Sequence, residues 1–239
     1  MNATMTRGLW VVAFAGIVLS GGLVQPVEAT LVTFDFTGSV TYVDPALQTA
    51  HTPFGPGSVM SGSFTYDTAI TPTYDASGTS AQYDGALTAL TFNVGSYSGN
   101  LGTAANLITL RDDYTTGGTY YIDVFHVDAF TSSTGSLVGN PVNGYPLYDF
   151  ILGLTGTDLS AITSLEPLPT TAPDLSLFNV EQVFYLYFGD PTCGISCPAP
   201  VSGTITSLTT AAVPEPSTLL LLGTGLAGLG GVAWRRRKQ

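Results

Sequence analysis

Between residues 30 and 212 the chain repeats one pattern. Short runs of β-branched, aromatic and aliphatic residues are broken by glycine, proline, aspartate or asparagine. The runs cover residues 31–37, 39–43, 59–66, 86–94, 107–110, 120–130, 148–154, 182–188 and 201–208. None carries the period of three to four residues that an amphipathic helix needs, and runs of this length between turn residues read as strands. About eight to ten strands without helical crossovers predict an all-β fold, an antiparallel two-sheet β-sandwich of jelly-roll type. The alternation is clearest in 120–130. There Ile122, Val124 and His126 share one face, and Tyr121, Asp123, Phe125 and Val127 share the other. The second set is expected inward, with Asp123 out of character. Residues 155–165 are the best helical candidate, a turn after Asp158.

Three segments resemble one another: Thr37-Gly38-Ser39-Val40-Thr41, Ser61-Gly62-Ser63-Phe64-Thr65 and Ser202-Gly203-Thr204-Ile205-Thr206. Their irregular spacing excludes a solenoid. They are expected to be sheet neighbours with their hydroxyls outward, so that the first and last close the domain. The proline-rich stretch 165–173 is expected to cross one end of the sandwich.

Charge narrows the possible partners. Of 17 acidic residues only Glu28 and Glu215 lie outside 30–212, and of six basic residues only Arg111 lies inside, so this body carries a net charge of −14. Such a surface does not neutralise phosphates, which argues against nucleic acid. It attracts cations or basic partners, or simply keeps a secreted domain dispersed.

Both ends differ from the body. Residues 1–29 combine Arg7, an apolar stretch over 9–19 and the small-residue boundary Val27-Glu28-Ala29, in the order of a secretory signal peptide cut after Ala29. The plain alternative is an N-terminal anchor, for which eleven apolar residues are short. At the other end, Val213, Pro214, Glu215, Pro216, Ser217 and Thr218 precede the uncharged residues 219–234, which Arg235, Arg236, Arg237 and Lys238 close. As a helix the run spans roughly 24 Å. That is short for a hydrocarbon core of about 30 Å. Trp234 at the interface and snorkelling arginines make a transmembrane helix workable. The basic cluster retains that end in the cytoplasm and leaves the body outside. Gly223, Ala227 and Gly231 line one helix face on which a second helix could pack closely. Pro214 and Pro216 hold the preceding peptide extended, as a processing enzyme would grip it.

In order and position these pieces resemble the PEP-CTERM sorting signal of exopolysaccharide-producing Gram-negative bacteria. The resemblance implies a substrate of an exosortase, an integral-membrane cysteine protease-transpeptidase. Such an enzyme recognises the Pro-Glu-Pro segment, removes the helix and passes the protein to the cell surface. It implies three parts: residues 1–29 a signal peptide, 30–212 an ectodomain and 213–239 the sorting signal. The expected role is that of an exported structural or interaction protein of the extracellular matrix. It is held at the inner membrane before processing, and exopolysaccharide is a candidate partner. Gly62-Ser63-Phe64-Thr65-Tyr66-Asp67 also resembles the opening of a recurrent ectodomain family with such tails, which implies a β domain and no catalysis.

Candidate chemistry in the body is sparse. Cys193 and Cys197 form the only cysteine pair, and in an exported chain a disulfide is expected. His51 and His126 lack zinc-ligand spacing. No Gly-x-Ser-x-Gly elbow marks a hydrolase, so no catalytic residue is assigned. Asp112, Asp113, Asp123, Asp128 and Asp149 are candidate calcium ligands, since hard cations take clustered carboxylates, although no calcium-loop motif is present. The twelve tyrosines could stack on sugars or fill the core. They keep a second class open, a polysaccharide-binding module or weak glycan-active enzyme.

Overall fold

In a computed structural model, which describes residues 30–116, 120–190 and 194–211, the strand-spaced runs become twelve strands. They are β1 (Leu31–Val43), β2 (Val59–Asp67), β3 (Thr73–Tyr74), β4 (Ser80–Asp84), β5 (Leu87–Val94), β6 (Tyr97–Asn100), β7 (Ala105–Thr116), β8 (Tyr120–Phe130), β9 (Val138–Gly139), β10 (Leu147–Gly156), β11 (Glu181–Asp190) and β12 (Gly194–Thr210). The all-β antiparallel expectation holds. The helix expected over 155–165 does not form, because Thr155 and Gly156 finish β10 and the Asp158 carboxylate then accepts from the Ser160 N–H at 3.1 Å, setting a turn. The described helical residues are two short 3₁₀ turns, Pro45–Leu47 and Leu175–Leu177, capped by Asp44 and Asp174.

The expected pair of separate sheets takes another form. One hydrogen-bonded sheet runs in the order β3-β4-β7-β8-β10-β11-β12-β1-β2-β5-β6-β9 and curls on itself. Phe36 of β1 lies 5.9 Å from Phe150 of β10, Phe92 of β5 stacks on Phe150 at 5.1 Å, and Phe64 of β2 meets Phe125 of β8 at 6.4 Å. These strands stand three to five places apart in the sheet, so their rings meet across the interior. Sheets of more than about ten twisted strands tend to curl. Two register shifts of β1 against β12, at Thr37/Gly38 and Val40/Tyr42, add bend and twist where the two halves join.

The three similar segments are neighbours, since β1 pairs with β12 on one side and β2 on the other. Their hydroxyls form cross-strand pairs on the outer face, with Thr33 to Thr65 at 2.8 Å and Thr37 to Thr206 at 3.3 Å. Their glycines work inward. Phe36 is paired with Gly62 and Phe184 with Gly203, and an added Cβ on either glycine would meet the partner ring. The rings lie over bare backbone, which restores apolar cover to a glycine in a strand.

The stretch from 157 to 174 crosses one end of the interior, as expected from its prolines. It buries Ile162 and Leu168. The buried Tyr66 and Tyr83 hydroxyls donate to the Pro169 and Leu165 carbonyls. The Ala172 N–H donates to Thr210 Oγ1 at 2.8 Å, so β12 holds the same strap.

Asp123 ties this strap to a bulge. Arg111 stands opposite Val124 and Tyr114 opposite Ile122, so Asp112 and Asp113 face Asp123 alone. These two aspartates thus form a β-bulge, with Asp113 at φ 51°. The extra residue has no ladder partner for its N–H. Asp123 supplies one, accepting from Asp113 N–H at 3.0 Å, and its second oxygen accepts from Ile162 N–H at 2.8 Å. Among the described residues it is the only charged residue classed as buried. Asp123→Ala strands two donors and is expected to cost about 3 kcal/mol, with Asp123→Asn costing less. Urea unfolding of the three proteins reads this directly, and equal midpoints would remove the tie.

Candidate functional site

The outer face of β7, β8, β10 and β11 carries an open groove. On β8 the alternation runs as expected: Asp123, Phe125 and Val127 are buried inward, and Ile122, Val124 and His126 face outward. Tyr121 departs from it, being 56% exposed where the hairpin projects past the bulge. The registers then fix three rows across the outer face. Arg111, Val124, Thr155 and Glu181 form one. Thr109, His126, Gly153 and Val183 form the next. Asp128, Ile151, Tyr185, Ser202 and Tyr42 form the third. Asp149 and Tyr187 stand opposite each other one step further along.

The first two rows, with Ile151 and Tyr185, enclose a groove of about 590 Å³. Gly153 keeps its centre open, because an added Cβ would stand 3.3 Å from His126 Cδ2 and 3.5 Å from a Val183 methyl. Tyr185 and Tyr187 stack at one end, with centroids 5.7 Å apart and planes 15° from parallel. At the other end the Arg111 guanidinium carbon lies 4.4 Å from the centre of the Tyr114 ring, while Arg111 Nε is buried without a hydrogen-bond partner.

The electrostatics are those of a nearly neutral patch on an acidic body. Asp128 Oδ1 and Asp149 Oδ1 are buried and lack donors as carboxylates, which a proton shared between the two acids resolves. Burial, then the charge of Asp128, pushes the Asp149 carboxyl up to about 8. Burial also raises Asp128, while its hydrogen bond with Asp149 and the nearby His126 act against the rise. His126 is held below the usual imidazole range, first by burial and then by Arg111, against the pull of Asp128 and Glu181. At neutral pH the acid pair therefore keeps one proton and the imidazole stays uncharged.

The five aspartates expected as calcium ligands divide into two groups. Asp112, Asp113 and Asp123 offer oxygens within 4.8 Å of one another. In that group Asp123 already spends both oxygens on backbone N–H groups. Asp128 and Asp149 form the outer pair. His51 lies in a loop by another hollow, away from His126. The tyrosines divide as well: Tyr66, Tyr83 and Tyr97 are in the core, Tyr42, Tyr74 and Tyr121 are exposed, and Tyr185 and Tyr187 are half-buried. Glu181, Gly153 and Thr109 carried no signal of their own in the sequence. Only the phase of three strands, combined with their order, places them beside His126.

Among the described residues no helix is long and apolar enough to cross a membrane. The signal peptide at 1–29, the sorting motif, the transmembrane run at 219–234, the basic cluster and Cys193 of the Cys193–Cys197 pair lie outside the described residues, and of Cys197 only the backbone, in β12, is described. What precedes the tail is thus an acidic all-β domain with an open outer groove. Residues 212–238 match the family model described as the PEP-CTERM protein-sorting motif. That motif indicates an exported protein addressed to an exosortase, a membrane protein. No curated protein and no solved structure matches the chain.

The acid pair has a consequence for stability. An unfolded aspartate titrates near 3.9. The folded chain therefore holds a proton that the unfolded chain has lost, and stability falls as pH rises through about 8. His126 acts in the opposite sense below about pH 6.5, where the unfolded imidazole gains its proton first. Arg111 and Glu181 face the same patch, and Tyr187, held above the usual phenol range first by burial, stays uncharged across this window. Between pH 6.5 and 8.5 the wild type is expected to lose about 2 kcal/mol, and Asp149→Asn to lose little. Urea titrations at the two pH values test it, and equal slopes for both proteins would exclude the shared proton.

Proposed function

We propose that the protein is an exported ectodomain delivered to the cell surface by its tail, where it serves as a structural or interaction component of the extracellular matrix. The match of residues 212–238 to the sorting motif carries this reading. The curled sheet works as a two-layered, jelly-roll-like head. Before cleavage, residues 219–234 hold it in the inner membrane and Arg235 to Lys238 remain on the cytoplasmic side. An exosortase-like membrane protease grips Pro214-Glu215-Pro216 and frees the head. Cys193 and Cys197 are joined in the oxidising compartment it enters.

The fold supports a short tether. β12 runs to Thr210, and the Ala211 N–H still donates to the Thr33 carbonyl at 2.8 Å. The head therefore stands against the membrane until it is released. In the native host, deletion of Pro214 to Pro216 is expected to leave a full-length, membrane-bound protein, whereas the wild type is shortened and released. Membrane fractionation with an antibody to the head reads both. Normal shortening of the deleted form would overturn the sorting role.

A further inference from the structure

Building on the interaction role above, we propose that the groove between β7, β8, β10 and β11 binds an uncharged polysaccharide strand, with Tyr185 as its stacking platform and His126 and the Asp128–Asp149 pair as hydroxyl partners. Three observations converge on this surface. Its floor is apolar, made by Val124, Ile151 and Val183 around the bare backbone of Gly153. A sugar ring offers such a floor one face of C–H groups. At its end the parallel rings of Tyr185 and Tyr187 stand side by side, half-buried and fixed by packing. Aromatic side chains held in this way give contact area at low entropic cost. Beside them lie acceptors and a neutral imidazole, the groups that hydrogen-bond hydroxyls.

The third row continues the binding face past the groove itself, across β12 to β1. Tyr42, Ser202, Tyr185, Ile151 and Asp128 occupy successive strands. At about 4.8 Å per strand the row spans roughly 19 Å, enough for several sugar rings in a chain. Tyr42, 46% exposed, stands at its far end.

Charge selects among glycans. The body carries −14, so a polyuronate or sulfated chain is repelled on approach. The one cation in the groove, Arg111, is occupied by Tyr114 and shares its row with Glu181. Within the groove the shared proton and the uncharged His126 leave little net charge for an ionic ligand to meet. An uncharged, hydroxyl-rich strand fits both the patch and its surroundings.

The same geometry separates binding from hydrolysis. Two acids that share a proton stand within hydrogen-bond reach, about 3 Å. Glycosidase pairs stand about 5 Å apart when retaining and further when inverting. Asp128 and Asp149 therefore fit recognition of hydroxyls and not cleavage of a glycosidic bond.

The test uses the protein purified from membranes in a detergent without a sugar headgroup. Binding is measured by calorimetry with β-1,4-glucose, β-1,3-glucose and α-1,6-mannose hexasaccharides, and with a hexauronate. At least one neutral hexasaccharide is expected to bind and the hexauronate not to bind. Tyr185→Ala is expected to weaken binding about tenfold, by lost stacking. Gly153→Gln fills the groove and is expected to abolish binding, while Tyr121→Ala, outside it, leaves binding unchanged. Circular dichroism melts confirm that each variant is folded. Should Gly153→Gln fail to fold, Val183→Gln, beside Gly153 on the groove floor, takes its place. Binding of the hexauronate alone, indifference to Tyr185→Ala, or no binding by any neutral hexasaccharide would overturn the proposal. Each of these results leaves the sorting role intact, since that role is decided by the deletion of Pro214 to Pro216.

Discussion

The head depends on the pairing of β1 with β12. These are its two longest strands, of 13 and 17 residues, and they come from opposite ends of the domain. They meet in the middle of the sheet, with four strands beyond β1, namely β2, β5, β6 and β9, and six beyond β12 that include β11 and β10. Among the described residues no other pairing joins the two halves into one ladder. The bend at this seam lets Phe36 and Phe92 reach Phe150 and close the interior. Gly62 and Gly203, each covered by a paired phenylalanine ring, and Gly38, against the Thr204 backbone, let three strands approach where side chains would collide. Pairing of such distant segments carries a large loop-closure entropy, which the shared core must offset.

The interior and the outer groove follow from the same alternation. Along β8 each step inward places Phe125 or Val127 in the core, and each step outward places Val124, His126 or Asp128 on the groove side. Asp123 is the exception that the bulge explains. Its position inside the core looks unfavourable until the unpaired N–H groups of Asp113 and Ile162 are counted. A buried carboxylate with both oxygens engaged joins a bulge to the strap across the end of the interior. The acidic residues of this chain therefore do different work: some cap turns, one ties loops, two share a proton, and many keep the surface wet.

Much of the fold was legible because long strands carry enough residues to show a period. Residues 120–130 form β8 with the limits read from the sequence, and the neighbours around Gly38, Gly62 and Gly203 are as expected. The strands β3, β4, β6 and β9 were not legible. Each has two to five residues, with serine, threonine or glycine in place of a clear apolar phase. One curled sheet in place of two also escaped, because strand order is set by distant pairings that local spacing does not encode. The groove was hidden for the same reason. A register slip of one residue would turn His126 or Tyr185 to the other face. Asp128 and Asp149 stood out only as acids, and their partnership needed the alignment of β8 with β10. The tail was the opposite case, since its order of motif, apolar run and basic stop is local.

The place of β12 sets an order of events. It is the last strand, it fills the central gap between β11 and β1, and its ladder continues to Ala211, two residues before the sorting motif begins at Val213. Until that strand has emerged on the far side of the membrane, the earlier strands are two half-sheets with a long open edge between them. The assembly clock of the domain and the arrival of its address are thus the same event. Whatever handles the chain in transit meets an unfinished head, and the first finished one already carries the motif that addresses it to an exosortase.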